Sequence, residues 1–134
     1  MWTKWCVVIA GIALLPAVPV AAHHAFAAEF DVSQPVKIRG TVTKVEWVNP
    51  HAWIYVDVKD GDGSVVNWRF ELGPPNALIR LGWKKDSIPS GLEVAIEGFR
   101  AKNGGPVANG RSIKLPDGRE LFSGGSGPNS SPDK

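Results

Sequence analysis

Residues 52–72 decide the fold. Ala52-Trp53-Ile54-Tyr55-Val56-Asp57-Val58 leads through Lys59-Asp60-Gly61-Asp62-Gly63-Ser64 into Val65-Val66-Asn67-Trp68-Arg69-Phe70-Glu71-Leu72. In the first run Ala52, Ile54, Val56 and Val58 alternate with Trp53, Tyr55 and Asp57, the period of two that marks a half-buried β-strand. Asp60-Gly61-Asp62-Gly63 then turns the chain sharply. This stretch lacks the later ligands and the closing glutamate of a calcium loop, so it reads as a hairpin turn. The return strand carries Val66, Trp68, Phe70 and Leu72 on one face.

The same period extends outward in both directions. Val36 to Trp47 alternates, but the phase slips between Val42 and Val45, which predicts a bulge or strong coil near Thr43. Asn49-Pro50 breaks the run as a turn. After Gly73-Pro74-Pro75-Asn76, Ala77 to Leu81 reads as a short helix that Gly82 ends, and Trp83 reaches back to the core. Leu92 to Phe99 is a fourth strand, Lys102 to Gly105 a loop, and Val107 to Leu115 a weaker strand. Pro116-Asp117-Gly118 turns the last of these into Arg119 to Phe122. The predicted class is all-β with one short helix. The order of three strands, a helix and two or three further strands is that of a small five-stranded Greek-key barrel of the oligonucleotide/oligosaccharide-binding (OB) type. An open antiparallel β-sandwich is the alternative.

The ends of the chain read differently. Lys4, an apolar run from Cys6 to Leu15, Pro16 and Pro19, and then Val20-Ala21-Ala22 have the order of a secretory signal peptide over residues 1–22. The apolar run is far short of the roughly 20 residues that span a membrane. Cleavage after Ala22 is favoured; Ala25-Phe26-Ala27 offers a second position, after Ala27. Residues 23–35 form an N-terminal arm, 36–122 the β domain, and 123–134, a run of Gly, Ser, Pro and Asn, a disordered tail. Periplasmic or secreted localisation follows, without stable membrane insertion once the leader is removed.

Cys6, the one cysteine, leaves with the leader, so the mature domain is held by packing without disulfides. Lys4 leaves too, bringing the 15 basic residues close to the 13 acidic ones. A balance near neutrality gives no strong pull toward nucleic acid or anionic lipid.

Several rare residues recur in an order that resembles a known group. His23-His24-Ala25-Phe26-Ala27-Ala28-Glu29-Phe30-Asp31 is the first marker, and Gly40 to Trp47 running into Asn49-Pro50-His51-Ala52-Trp53 is the second. Asn67-Trp68 with Phe70-Glu71, Gly82-Trp83, and Gly98-Phe99-Arg100-Ala101-Lys102 follow. Together they resemble the small secreted bacterial proteins of domain-of-unknown-function family 6152, over the mature chain apart from its tail. The resemblance implies export and a compact β domain. It transfers no activity and no catalytic residue.

Two sets of residues are candidates for function. His23, His24 and His51 are the three histidines. A chain that starts at His23 joins a free amine and an imidazole on one residue. With one further imidazole these form a three-nitrogen site of the kind that suits Cu(II) by ligand type and affinity order. A flexible arm and a turn-bound His51 are the competing reading. Asp31, Glu29 and Glu46 read as solvated carboxylates that could supply an added oxygen. Trp53 and Tyr55 form the second set, an outward aromatic pair able to grip an envelope glycan or a protein partner. Trp68 and Trp83 read as packing residues. Arg100, Lys102 and Arg111 read as solvated cations. No nucleophile–base pattern or phosphate loop stands out. The expectation is therefore a binding or accessory protein, not an enzyme.

Overall fold

A computed structural model describes residues 18–132, with side chains from residue 24; most of the predicted leader, residues 1–17, lies outside the described residues. The elements are α1 (Val18–Glu29), β1 (Phe30–Glu46), β2 (Trp53–Lys59), β3 (Val65–Glu71), α2 (Pro75–Arg80), β4 (Glu93–Ala101), β5 (Val107–Lys114) and β6 (Glu120–Phe122). One sheet holds all six strands in the order β3-β2-β1-β4-β5-β6. A parallel pairing of β3 with β5, Arg69 to Glu71 against Val107 to Asn109, closes the first five strands into a ring. This is the connectivity expected for the five-stranded Greek key, with β6 added outside it, in place of two open layers.

Closure depends on β1, which is long enough to serve two partners. Its first part, Phe30 to Thr41, pairs with β4, and its last part, Thr41 to Glu46, pairs with β2. The register shifts between Val42 and Lys44, at the predicted slip around Thr43. A bulge there bends the strand and increases its twist, which lets a sheet turn onto itself.

The inward residues are those the alternation selects. Ala52, Ile54, Val56, Phe70 and Leu72 are fully buried, with Ile96 and Ile113 opposite them. Each large aliphatic or aromatic side chain so buried contributes about 1.5–3 kcal/mol. α2 starts with a proline in its first turn, where the missing N–H is not needed. It buries Leu78 against the same core. Trp83 is buried and its indole N–H donates to the carbonyl of Phe122 at 2.9 Å, tying α2 to β6. Trp68 is half-buried and stacks on Phe70.

Both ends are more structured than their composition suggests. The expected arm is largely α1 and the start of β1. Phe30 pairs with Ala101, and Asp31 accepts from the backbone and hydroxyl of Ser33, forming the irregular turn that precedes Pro35. Residues 123–132 do not run free of the domain: Ser123 and Ser130 are fully buried. What holds this strap is backbone together with serine hydroxyls. The Gly73 N–H donates to Ser123 at 2.7 Å, Gly124 N–H donates to Ser130 at 2.8 Å, and the Ser130 hydroxyl donates to Gly125. A Gly/Ser run has no apolar side chains to mark its packing, but it can approach other backbones closely. Among the described residues no helix is long and apolar enough to cross a membrane.

Candidate functional site

α1 lies against the outside of the ring and makes a second, smaller core. Phe26 and Phe30 pack there on Phe99, Ala101 and Val107. Beside this apolar patch α1, the β1–β2 connection, the end of β3 and the strap enclose a cleft of about 180 Å³. Glu29, His51, Glu71 and Ser126 supply its polar groups and Phe26 and Phe30 its apolar wall.

His51 enters the cleft from the turn before β2. Its Nδ1 lies 3.2 Å from the carbonyl oxygen of Leu72. A carbonyl only accepts, so this bond places the proton on Nδ1 and leaves Nε2 with a free lone pair in the neutral ring. The side chain keeps 36 % of its surface exposed, enough for a ligand to reach it.

Glu71 is the unusual residue. It follows Arg69 on the outward face of β3, where a carboxylate is ordinarily solvated, yet it is only 7 % exposed. Its Oε1 accepts from the Asn109 side-chain amide at 3.2 Å and lies 3.8 Å from Nδ1 of His51. Burial pushes its pKa above the usual carboxylate range. The charge of Glu29 adds to that, while His51 and the Asn109 hydrogen bond act in the opposite direction. Asn109 is itself fully buried, and its Oδ1 has no hydrogen-bond partner among the described residues.

This arrangement has a consequence for stability. A carboxyl whose pKa is raised on folding binds its proton more tightly in the native state. Its contribution is fully present below the unfolded pKa and is lost as pH rises through the folded one, so at neutral pH the ionised group is a net cost. Glu71→Gln keeps an acceptor for Asn109 and removes the charge. The variant is expected to be more stable than the parent at pH 7 and to lose less stability as pH rises from 4 to 7, read by denaturant midpoints at each pH. A variant less stable at pH 7 would mean that the ionised carboxylate is itself stabilising there.

The other sequence candidates are placed as follows. His24 is exposed on α1, and the side chain of His23 lies outside the described residues. Among the described residues no three His, Cys, Asp or Glu side chains stand close enough together to hold a metal ion. Trp53 and Tyr55 do share the outward face of β2, half-buried. Each carries a cation: the Arg69 guanidinium sits 5.3 Å from the Trp53 ring and the Lys44 ammonium 4.4 Å from that of Tyr55. The Tyr55 hydroxyl donates to Glu46, whose carboxyl is held below the usual range first by Lys44 and then by this bond.

The three cations near the last loop are engaged within the domain. Arg100 donates to Gly104 at 2.7 Å, Lys102 to the carbonyl of Ala27, and Arg111 pairs with Glu97. Glu71 stood in the sequence only as part of the Phe70-Glu71 marker, with no role attached, and Asn109 and Ser126 carried no signal. Local alternation assigns Glu71 to solvent, and only distant segments cover it.

Neither a curated protein nor a solved structure matches this chain. A family model matches residues 12–110, a span that includes α1, His51, Glu71 and Asn109. The chain therefore belongs to the family of unknown function DUF6152.

Proposed function

We propose that this protein is an exported bacterial binding protein, periplasmic or secreted, that holds Cu(II) at the rim of the cleft between α1 and the ring. The ligands are Nε2 of His51 and the α-amine and imidazole of His23 in a chain starting at that residue, with His24 beside them. One observation carries this reading: the hydrogen bond from His51 Nδ1 to Leu72 fixes the tautomer and orients the ring. Such a bond on the far nitrogen is the usual support of a metal-bound imidazole. Phe26 anchors α1 only three residues after His23, about 4.5 Å along a helix axis. Three nitrogen donors suit Cu(II) better than zinc, which ordinarily takes four protein ligands in a structural site.

Calorimetric titration with Cu(II) tests the reading on three chains: one starting at His23, the same with a single alanine added before it, and His51→Ala. The parent is expected to bind one ion. The extension and the substitution are each expected to weaken binding at least about tenfold, and affinity is expected to fall in acid as the nitrogens protonate. Equal affinity in the extended form removes the amine from the site; equal affinity in His51→Ala removes the ring.

The outward aromatic pair supports a second, metal-independent reading. Trp53 and Tyr55 form a strip that is flanked by Arg69 and Lys44 and faces away from the core. Such a strip can stack on a sugar face or receive a protein partner. A glycan or peptide array probed with the parent and with Trp53→Ala is expected to lose its signal in the variant. A signal that survives the substitution counts against this face.

A further inference from the structure

The sequence offers two places for removal of a leader, after Ala22 and after Ala27, and the residues between them are not equivalent in the fold. Phe26 is the one buried residue of α1 among the described residues. Its ring lies 5.6 Å from that of Phe30 and meets Phe99 edge-on at 5.9 Å. Ala101 and Val107 complete the patch. Gly127 of the strap covers Phe26 from the other side, so closely that an added Cβ would stand 3.0 Å from the ring. The backbone ties the same stretch down, with Lys102 N–H donating to Glu29 at 2.9 Å and the Lys102 ammonium to Ala27.

We infer that processing occurs between Ala22 and His23, and that the mature chain keeps Phe26 as the plug of its second core. A cut after Ala27 deletes the plug. It leaves Phe30, Phe99 and Val107 facing water on the outer surface of the ring, and it opens the apolar wall of the cleft that holds His51 and Glu71. A cut after Ala22 leaves Phe26 and both Lys102 ties in place. The segment from His23 to Glu29 is then a built part of the domain, although its composition reads as a loose arm.

The inference does not depend on metal binding. A chain that starts at His23 but takes up no Cu(II) rejects the metal reading and leaves this one intact, whereas a start at Ala28 rejects both. The test is the intact mass of the full chain after export from a bacterial host, with His23 expected as the first residue. A start at Ala28, or an uncut chain, overturns the inference.

A second measurement follows the physical cause. Chains made to begin at His23 and at Ala28 are compared by thermal unfolding, and the shorter is expected to melt about 10 °C lower or more, as for the loss of a buried phenylalanine. Phe26→Ala in the longer chain is expected to reproduce most of that drop, and Phe26→Leu, which keeps apolar volume, to recover most of it. Equal melting of the two chains would show that Phe26 is not needed and would overturn the inference.

Discussion

Gly98→Ala is expected to damage the ring severely, costing at least about 3 kcal/mol. Gly98 sits in β4 opposite Gly110 of β5, where the register between the two strands shifts. A Cβ at residue 98 would overlap the carbonyl oxygen of Asn109 and stand 3.3 Å from Cα of Gly110. Both obstacles are backbone atoms of the neighbouring strand, so no side chain can rotate away to make room. Relief requires β4 and β5 to separate, and with them the closure of β5 on β3. A domain of this size has about 5–15 kcal/mol of stability in total, so much of it is lost.

Gly104→Ala is the appropriate comparison. Gly104 has φ +77°, a left-handed conformation, but nothing lies within 4 Å of an added Cβ. That substitution is expected to cost only the backbone strain, about 1–2 kcal/mol. Urea midpoints of the two variants separate the effects. Equal costs would mean that the contact between β4 and β5 is looser than described. Asn109, whose carbonyl makes the contact, is also the residue that donates to Glu71. Gly98→Ala is therefore expected to disturb the cleft as well as the ring.

Ending the chain after Phe122 is expected to cost about 2–4 kcal/mol, although it removes no large apolar side chain. The truncation takes away the Ser123 carbonyl that accepts from Gly73 and the Ser123 N–H that donates to Arg111. It also uncovers Asn109 and Phe26, both of which Gly127 touches so closely that it has no room for a side chain. Newly exposed groups regain water, so the cost stays below that of leaving the same donors buried and unpaired. Hydrogen exchange gives a local reading of the same event. The Lys102 amide, bonded to Glu29 of α1, is expected to exchange faster in the truncated chain as α1 loosens. A truncated chain with the urea midpoint of the parent would mean that residues 123–132 rest on the domain without supporting it.

These expectations separate two kinds of information. The meander β1–β2–β3, the slip at Thr43, the inward set Ala52, Ile54 and Val56, and the short helix before Trp83 were legible because each depends on neighbours a few residues away. The outward position of Trp53 and Tyr55 followed from the same period. The cations they carry did not, since Lys44 and Arg69 reach them from two other strands. The placement of His51 at the mouth of β2 was legible. The hydrogen bond that sets its tautomer was not, because its acceptor, Leu72, lies across the β2–β3 hairpin.

Glu71 marks the boundary most clearly. By alternation it belongs with Asn67 and Arg69 on a solvated face, and both of those are exposed. It is buried because α1 from one end of the chain and the strap from the other meet over the end of β3, leaving a carboxyl between His51, Glu29 and Asn109. Period-two patterning is local, and by itself it determined the strands and their inward faces; the closed order, to which an open sandwich was the alternative, rests on the long-range pairing of β3 with β5. Burial of a polar group depends on which distant segments arrive above it. Only the tertiary structure decided that a helical arm and a run of glycine and serine would turn one outward face of this ring into a cleft.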